Sequence, residues 1–97
     1  MKTLIPASFA ISLFFSTNVF AAPEAPEKVS QCIACHGVGG NSIVPTFPKL
    51  AGQHASYIEK QLKDFRDGFR KDPTMSAFAK GLTDDEIKAL SEYYAAQ

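Results

Sequence analysis

The sequence has few metal-binding side chains. Its 97 residues include two cysteines, two histidines and two methionines, and the cysteines form a single CxxC pair. A structural zinc site uses about four good ligands, often from two such pairs, so a zinc site is a weak interpretation of this chain. The pair also lacks a surrounding strand-helix-strand pattern, which disfavours a thioredoxin-like dithiol.

Neither sign of charge is in excess, because 10 basic residues balance 10 acidic residues. Nucleic-acid binding usually needs a basic face, so the composition does not indicate a nucleic-acid partner. The main apolar stretch, residues 4–15, is shorter than the ~20 residues that a membrane-spanning helix needs. We therefore expect no stable membrane insertion of the mature protein.

The N-terminus has the three parts of a secretory signal peptide. Lys2 gives a positive start, residues 4–15 form an apolar core, and Val19-Phe20-Ala21 is a small-residue cleavage pattern. We predict cleavage after Ala21, which separates a signal peptide, residues 1–21, from one domain, residues 22–97. This domain has 76 residues and a net charge of −1, since only Lys2 is lost among the charged residues. We expect it in the periplasm.

The most informative motif is Cys32-Ile33-Ala34-Cys35-His36. CxxCH is the attachment motif of c-type haem, in which each thiol adds to one vinyl group of the porphyrin and the imidazole binds the iron. One turn of chain thus supplies two tethers and the proximal ligand. A redox dithiol, a zinc half-site and an ordinary disulfide are weaker alternatives.

A covalent haem would also help to stabilise so small a domain. A domain of 76 residues buries a marginal core and commonly needs a cofactor, a metal or disulfides to be stable. A tethered haem fills the core between short helices, so we expect the chain without haem to be poorly folded.

For the second axial ligand we predict Met75, the only methionine after the predicted cleavage point. We interpret its surroundings, Pro73-Thr74-Met75, as a loop. An axial thioether raises the haem potential and leaves no open position at the iron. His54 is the rival ligand, although it could as easily be a surface residue.

A ligating histidine usually donates its other ring proton to a backbone or carboxylate oxygen, which orients the ring. We predict that His36 donates to the carbonyl of Pro45, with Pro48 as the alternative. Both prolines lie in residues 43–52, which we interpret as irregular chain.

Apolar periodicity predicts helices before and after this irregular segment. The first begins near Glu27 and runs into the CxxCH motif. The second extends from Gln53 to about Arg70, with an apolar stripe of Ile58, Leu62, Phe65 and Phe69.

The last helix begins at a capping box of Thr83 and Glu86, and we expect it to pack on the first helix. We expect its tyrosines, Tyr93 and Tyr94, to pack against neighbours or to reach a haem propionate.

Four segments together resemble the class I c-type cytochromes, most closely the small single-haem bacterial members and one domain of the di-haem periplasmic ones. These segments are Cys32–Gly37, Phe47–Gln53, the Met75 region and Leu82–Glu86. The resemblance implies an all-α fold of about four short helices around one covalently bound haem c. It implies Cys32 and Cys35 as thioether anchors, His36 and Met75 as axial ligands, and soluble electron transfer between respiratory-chain partners.

We therefore expect an electron carrier and not an enzyme. A haem enzyme or gas binder with an open iron site is one alternative, and a thiol-disulfide module with Cys32 as nucleophile is another. An electron carrier should be a monomer that contacts redox proteins transiently at the haem edge, through less than ~1,200 Å² of interface. Lys49, Lys71 and Lys80 are candidate residues of that edge.

Overall fold

The computed structural model describes residues 2–17 and 23–97, and four α-helices form its domain. They are α1 (Ser30–His36), α2 (Ala55–Asp67), α3 (Pro73–Ala79) and α4 (Asp84–Ala95), with 3₁₀ turns at Glu27–Val29 and Val38–Gly40. No strand occurs within the described ranges. The expectation of an all-α fold with about four short helices is confirmed.

The N-terminal segment, residues 2–17, contains neither helix nor strand. Its apolar side chains are exposed, among them Leu4, Phe9 and Phe14. Nowhere in residues 2–17 or 23–97 is there a helix with the length and apolarity needed to cross a membrane. The predicted cleavage point after Ala21 lies outside the described residues.

Helix α1 continues directly from the 3₁₀ turn at Glu27–Val29, as the sequence predicted. Val29 enters the core, and the helix ends at His36 because Gly37 takes a φ of +80°. A side chain at Gly37 would place its Cβ 2.6 Å from the carbonyl oxygen of Asn41. Only glycine fits this position, so the chain turns away immediately after the CxxCH motif.

Helix α2 buries Ile58 and Phe65, and Leu62 packs beside them. The prediction that Phe69 is the fourth member of this apolar stripe is wrong, since its side chain is 84% exposed. Gly68 ends the helix in the left-handed region, with a φ of +87°, so the residues after it leave the helical register.

Helix α3 was not predicted, because Pro73 was interpreted as part of a loop. Proline fits the first position of a helix, where its missing N–H needs no partner. Asp72 caps the helix and accepts hydrogen bonds from the N–H groups of Thr74 and Met75, at 3.0 and 2.8 Å. Met75 therefore lies in the first turn of a capped helix.

Helix α4 begins at the predicted capping box, in which the Thr83 hydroxyl accepts from the Glu86 N–H and the Glu86 carboxylate accepts from the Thr83 N–H, both at 3.1 Å. It packs mainly on α2 and also contacts the turn Glu27–Val29, which leads into α1. The core cluster joins these elements through Val29, Ile58, Phe65, Ala79, Leu82, Ile87, Leu90 and Tyr94.

Candidate functional site

A cavity of about 540 Å³ lies among α1, the irregular segment, α2 and α3. This volume is in the usual range for a cofactor pocket. Cys32, Cys35 and His36 line it from α1, and Met75 lines it from α3. Apolar side chains form much of the remaining wall, including Leu50, Ile58, Leu62, Phe65, Phe78 and Leu90. The fold thus brings four of the five predicted site residues to one cavity.

His36 is held in a single orientation. It is the last residue of α1, is only 8% exposed, and its Nδ1 lies 2.7 Å from the carbonyl oxygen of Pro48. A carbonyl can only accept, so Nδ1 carries the proton and donates it. This leaves Nε2 as the ring nitrogen that could bind a metal.

The prediction that Pro45 supplies this carbonyl is wrong. Pro45 is the second residue of a β-turn that the Phe47 N–H closes onto the Val44 carbonyl at 3.0 Å. The ring of proline presets the backbone angle that this turn position needs. Pro45 therefore shapes the turn, and the residue that follows the turn, Pro48, meets His36.

Met75 and His54 have different environments. Met75 is half-buried, packs against the core cluster and lines the cavity. His54 precedes α2, is exposed, and is not among the described residues that line the cavity. Of the two predicted sixth ligands, only Met75 shares the cavity with His36.

Comparison with known proteins identifies the family. The model of the family Cytochrome c matches residues 24–95. This chain belongs to the cytochrome c family. Members of this family bind haem c covalently, and they are electron carriers, generally not enzymes. The cavity suits a covalently bound haem c, because it is large enough, the CxxCH motif lines it, and the imidazole of His36 is oriented at its wall.

Similar proteins include a cytochrome that the match covers almost completely and cytochromes that are longer. Cytochrome c4 of Thiocapsa roseopersicina is 51% identical over 77 residues, which are 77% of this chain and 40% of that protein. Cytochrome c-554(548) of Halomonas halodenitrificans is 39% identical over 79 residues, 78% of this chain and 95% of its own length. The solved cytochrome c4 of Acidithiobacillus ferrooxidans is 36% identical, with a TM-score of 0.65 over 68% of this chain and 38% of that one. The chain thus spans about two fifths of each of these two cytochromes c4.

In this member of the family, a tyrosine lies beside one of the cysteines. Cys32 is half-buried, which raises the pKa of its thiol, and its Sγ donates to the carbonyl of Lys28 at 3.7 Å. The phenol of Tyr94 is close to Cys32, and burial raises its pKa as well. The ring packs edge-on against Tyr93, with centroids 5.1 Å apart, which confirms the expected aromatic packing.

The polar part of the cavity wall is basic. Lys49, Arg70 and Lys71 line it, and Asp72, which caps α3, is the only carboxylate among its described lining residues. Arg70 lies 4.5 Å from the centroid of the Phe65 ring and donates to Gln61 Oε1 at 2.8 Å.

Two of the three lysines predicted for the haem edge, Lys49 and Lys71, are thus at the cavity. Lys80 is not among the described lining residues. Arg70 was missed, because it follows the end of α2, where helical periodicity no longer locates a side chain.

Proposed function

We propose that this chain is an exported single-haem electron shuttle, with His36 and Met75 as axial ligands and Cys32 and Cys35 as thioether anchors. The observation that supports this most directly is that all four side chains line one cavity. The haem c supplies a one-electron couple at its iron, and the thioether ligand raises its potential.

The chain's own residues then have distinct roles. Pro48 fixes the tautomer and ring plane of His36 through the 2.7 Å hydrogen bond. Asp72 caps α3 and so holds the first turn that carries Met75. The apolar wall would exclude water from the haem, and Met75 as a ligand would leave no open position at the iron for oxygen or peroxide.

The basic side chains at the cavity, Lys49, Arg70 and Lys71, suit the two haem propionates and the surface through which electrons leave. Carriers of this kind release their partners quickly, which fits a small, transient interface with redox proteins of the respiratory chain. We propose that the mature protein acts as a monomer and performs no bond chemistry on a substrate.

We further propose that residues 1–21 are a cleaved signal peptide and that residues 22–97 work in the periplasm. The support is the tripartite N-terminal pattern. The exposed apolar side chains of residues 2–17 are consistent with it, since these residues are not part of the core. Haem attachment to CxxCH on the outer side of the membrane agrees with export.

The optical spectrum of the exported protein tests the ligand set. We expect haem bands in both oxidation states and, in the oxidised form, the weak far-red band of a thioether-to-iron bond. Met75→Ala should abolish this band and let the reduced protein bind carbon monoxide. His54→Ala is the matched control and should change neither property.

Each contrary result has a defined meaning. A far-red band that persists in Met75→Ala, or that is lost in His54→Ala, would overturn the Met75 assignment. Carbon monoxide binding to the unmodified protein would indicate an open site and a gas-binding or enzymatic role. A purified protein without haem bands would refute the proposed function.

A further inference from the structure

One buried polar group, the hydroxyl of Tyr94, has no role in the proposed function. Tyr94 lines the cavity, and its hydroxyl is buried and, within the described residues, has no hydrogen-bond partner. A buried hydroxyl without a partner costs about 1–3 kcal/mol, so native proteins normally satisfy it. A side chain whose hydrogen bonding changes on haem attachment is a candidate for that partner.

The position of Tyr94 is fixed from two sides. Its carbonyl accepts a hydrogen bond from the Gly52 N–H at 2.9 Å. Its ring lies so close to Gly40 that a Cβ there would come within 2.8 Å of Cδ1. The ring therefore cannot swing far without moving α4, and Cys32 packs against the core cluster that contains Tyr94.

Haem attachment changes what this sulfur can do. As a thiol, Cys32 donates its hydrogen to the Lys28 carbonyl. In attachment a bond forms between Sγ and the inner carbon of a vinyl group, the vinyl double bond is lost, and the thiol hydrogen ends on the outer carbon. This addition needs no oxidant or reductant. The product is a thioether, which can accept a hydrogen bond but not donate one.

We propose that, in the haem-loaded protein, the Tyr94 hydroxyl donates a hydrogen bond to the thioether sulfur of Cys32. Tyr94 is then a positioning residue that ties the first haem anchor on α1 to the core of α4. The inference rests on the proposed attachment through Cys32. A thiol sulfur is already a weak acceptor, but attachment removes its own hydrogen and leaves the sulfur as an acceptor alone.

The rival acceptor is a haem propionate. Propionates and vinyl groups are carried by different pyrrole rings, so a group beside the Cys32 sulfur lies beside a vinyl position. The three cations Lys49, Arg70 and Lys71 offer the propionates a separate set of partners. Both observations favour the sulfur.

Proton NMR of the reduced, haem-loaded protein tests the proposal directly. We expect a slowly exchanging hydroxyl resonance with nuclear Overhauser contacts to the Cys32 β-protons. It should disappear in Tyr94→Phe and persist in Tyr93→Phe, the matched control on the same helix. A hydroxyl that exchanges with water too fast to be seen, or one with contacts to propionate protons instead, would overturn the proposal.

A double-mutant cycle measures the coupling. Tyr94→Phe should raise the unfolding equilibrium constant of the haem-loaded protein about two- to fivefold, because sulfur is a weak acceptor. In a Cys32→Ala background, with haem held by Cys35 alone, the same change should have less effect. Equal effects in both backgrounds would contradict the inference.

Mass spectrometry of haem peptides separates this inference from the proposed function. A peptide without a thioether at Cys32 would refute the attachment itself. A thioether at Cys32 together with a Tyr94 hydroxyl bonded elsewhere would refute only the present inference.

Discussion

Replacement of Gly40 by alanine should destabilise the protein strongly, because this glycine combines a left-handed backbone conformation with close contacts inside the domain. Gly40 has a φ of +76° and is buried. A Cβ there would lie 2.8 Å from the Ala51 amide nitrogen, 2.8 Å from Tyr94 Cδ1 and 3.0 Å from Leu50 Cβ. Its carbonyl also accepts hydrogen bonds from the Leu50 and Ala51 N–H groups, so the two backbone segments cannot easily separate.

Gly68 provides the matched control for the backbone contribution. Its φ is +87°, but none of the described atoms beyond its chain neighbours lies within 4 Å of an added Cβ. Gly68→Ala should therefore cost only the left-handed conformation, about 1–2 kcal/mol. Gly40→Ala should add an overpacking cost of about 1–3 kcal/mol, giving about 2–5 kcal/mol in total.

Such a loss is a large part of the ~5–15 kcal/mol that stabilises an ordinary domain. Guanidinium unfolding of the haem-loaded variants, followed by far-UV circular dichroism, measures both free energies of unfolding. The slopes against denaturant should match, so that the midpoints report stability alone. If Gly40→Ala costs no more than Gly68→Ala, the close approach of Gly40, Tyr94 and the Leu50–Ala51 backbone is refuted.

Three further predictions concern the core, the cap of α3 and acid pH. Ile87→Ala should lower the free energy of unfolding by about 2–5 kcal/mol, because Ile87 is fully buried; denaturant unfolding of the haem-loaded protein checks this. Asp72→Ala should cost about 1 kcal/mol by removing the cap of α3 and should weaken the far-red band at a lower temperature than in the unmodified protein. The Thr83 N–H holds the pKa of Glu86 below its ordinary 4.5, so Glu86 stabilises the fold above that pH and this contribution fades as the pH falls through the lowered pKa. Stability measured from pH 6 downwards should therefore fall less steeply in Glu86→Gln.

Each of these has a control on the same helix or a clear contrary result. For the core, Lys88→Ala, at an exposed position beside Ile87, should change stability by less than about 0.5 kcal/mol. For acid pH, Glu92→Gln should keep the slope of the unmodified protein, and an equal slope in both glutamine variants would contradict the capping-box explanation. For α3, an Asp72→Asn variant should recover much of the stability, since asparagine also caps helices.

Local sequence rules gave correct predictions where one short segment contains all the residues on which the rule depends. The CxxCH motif, the capping box of Thr83 and Glu86, and the start of the first helix near Glu27 each depend on neighbours within a few residues. The same rules failed for α3, since Pro73 both breaks a continuing helix and starts a new one. They also failed for Phe69, because Gly68 changes the register one residue before it.

Whether a feature could be predicted from the sequence depended on how far apart its residues lie along the chain. The sequence by itself determined the family, the cofactor and the helical class, because attachment chemistry and helix caps are local. Only the tertiary structure decided that Pro48 orients His36, that Arg70 reaches the cavity, and that Tyr94 and Cys32 meet in the core beside the cavity. These contacts join residues far apart in sequence, and an irregular segment with two prolines carries no periodicity from which such contacts could be read.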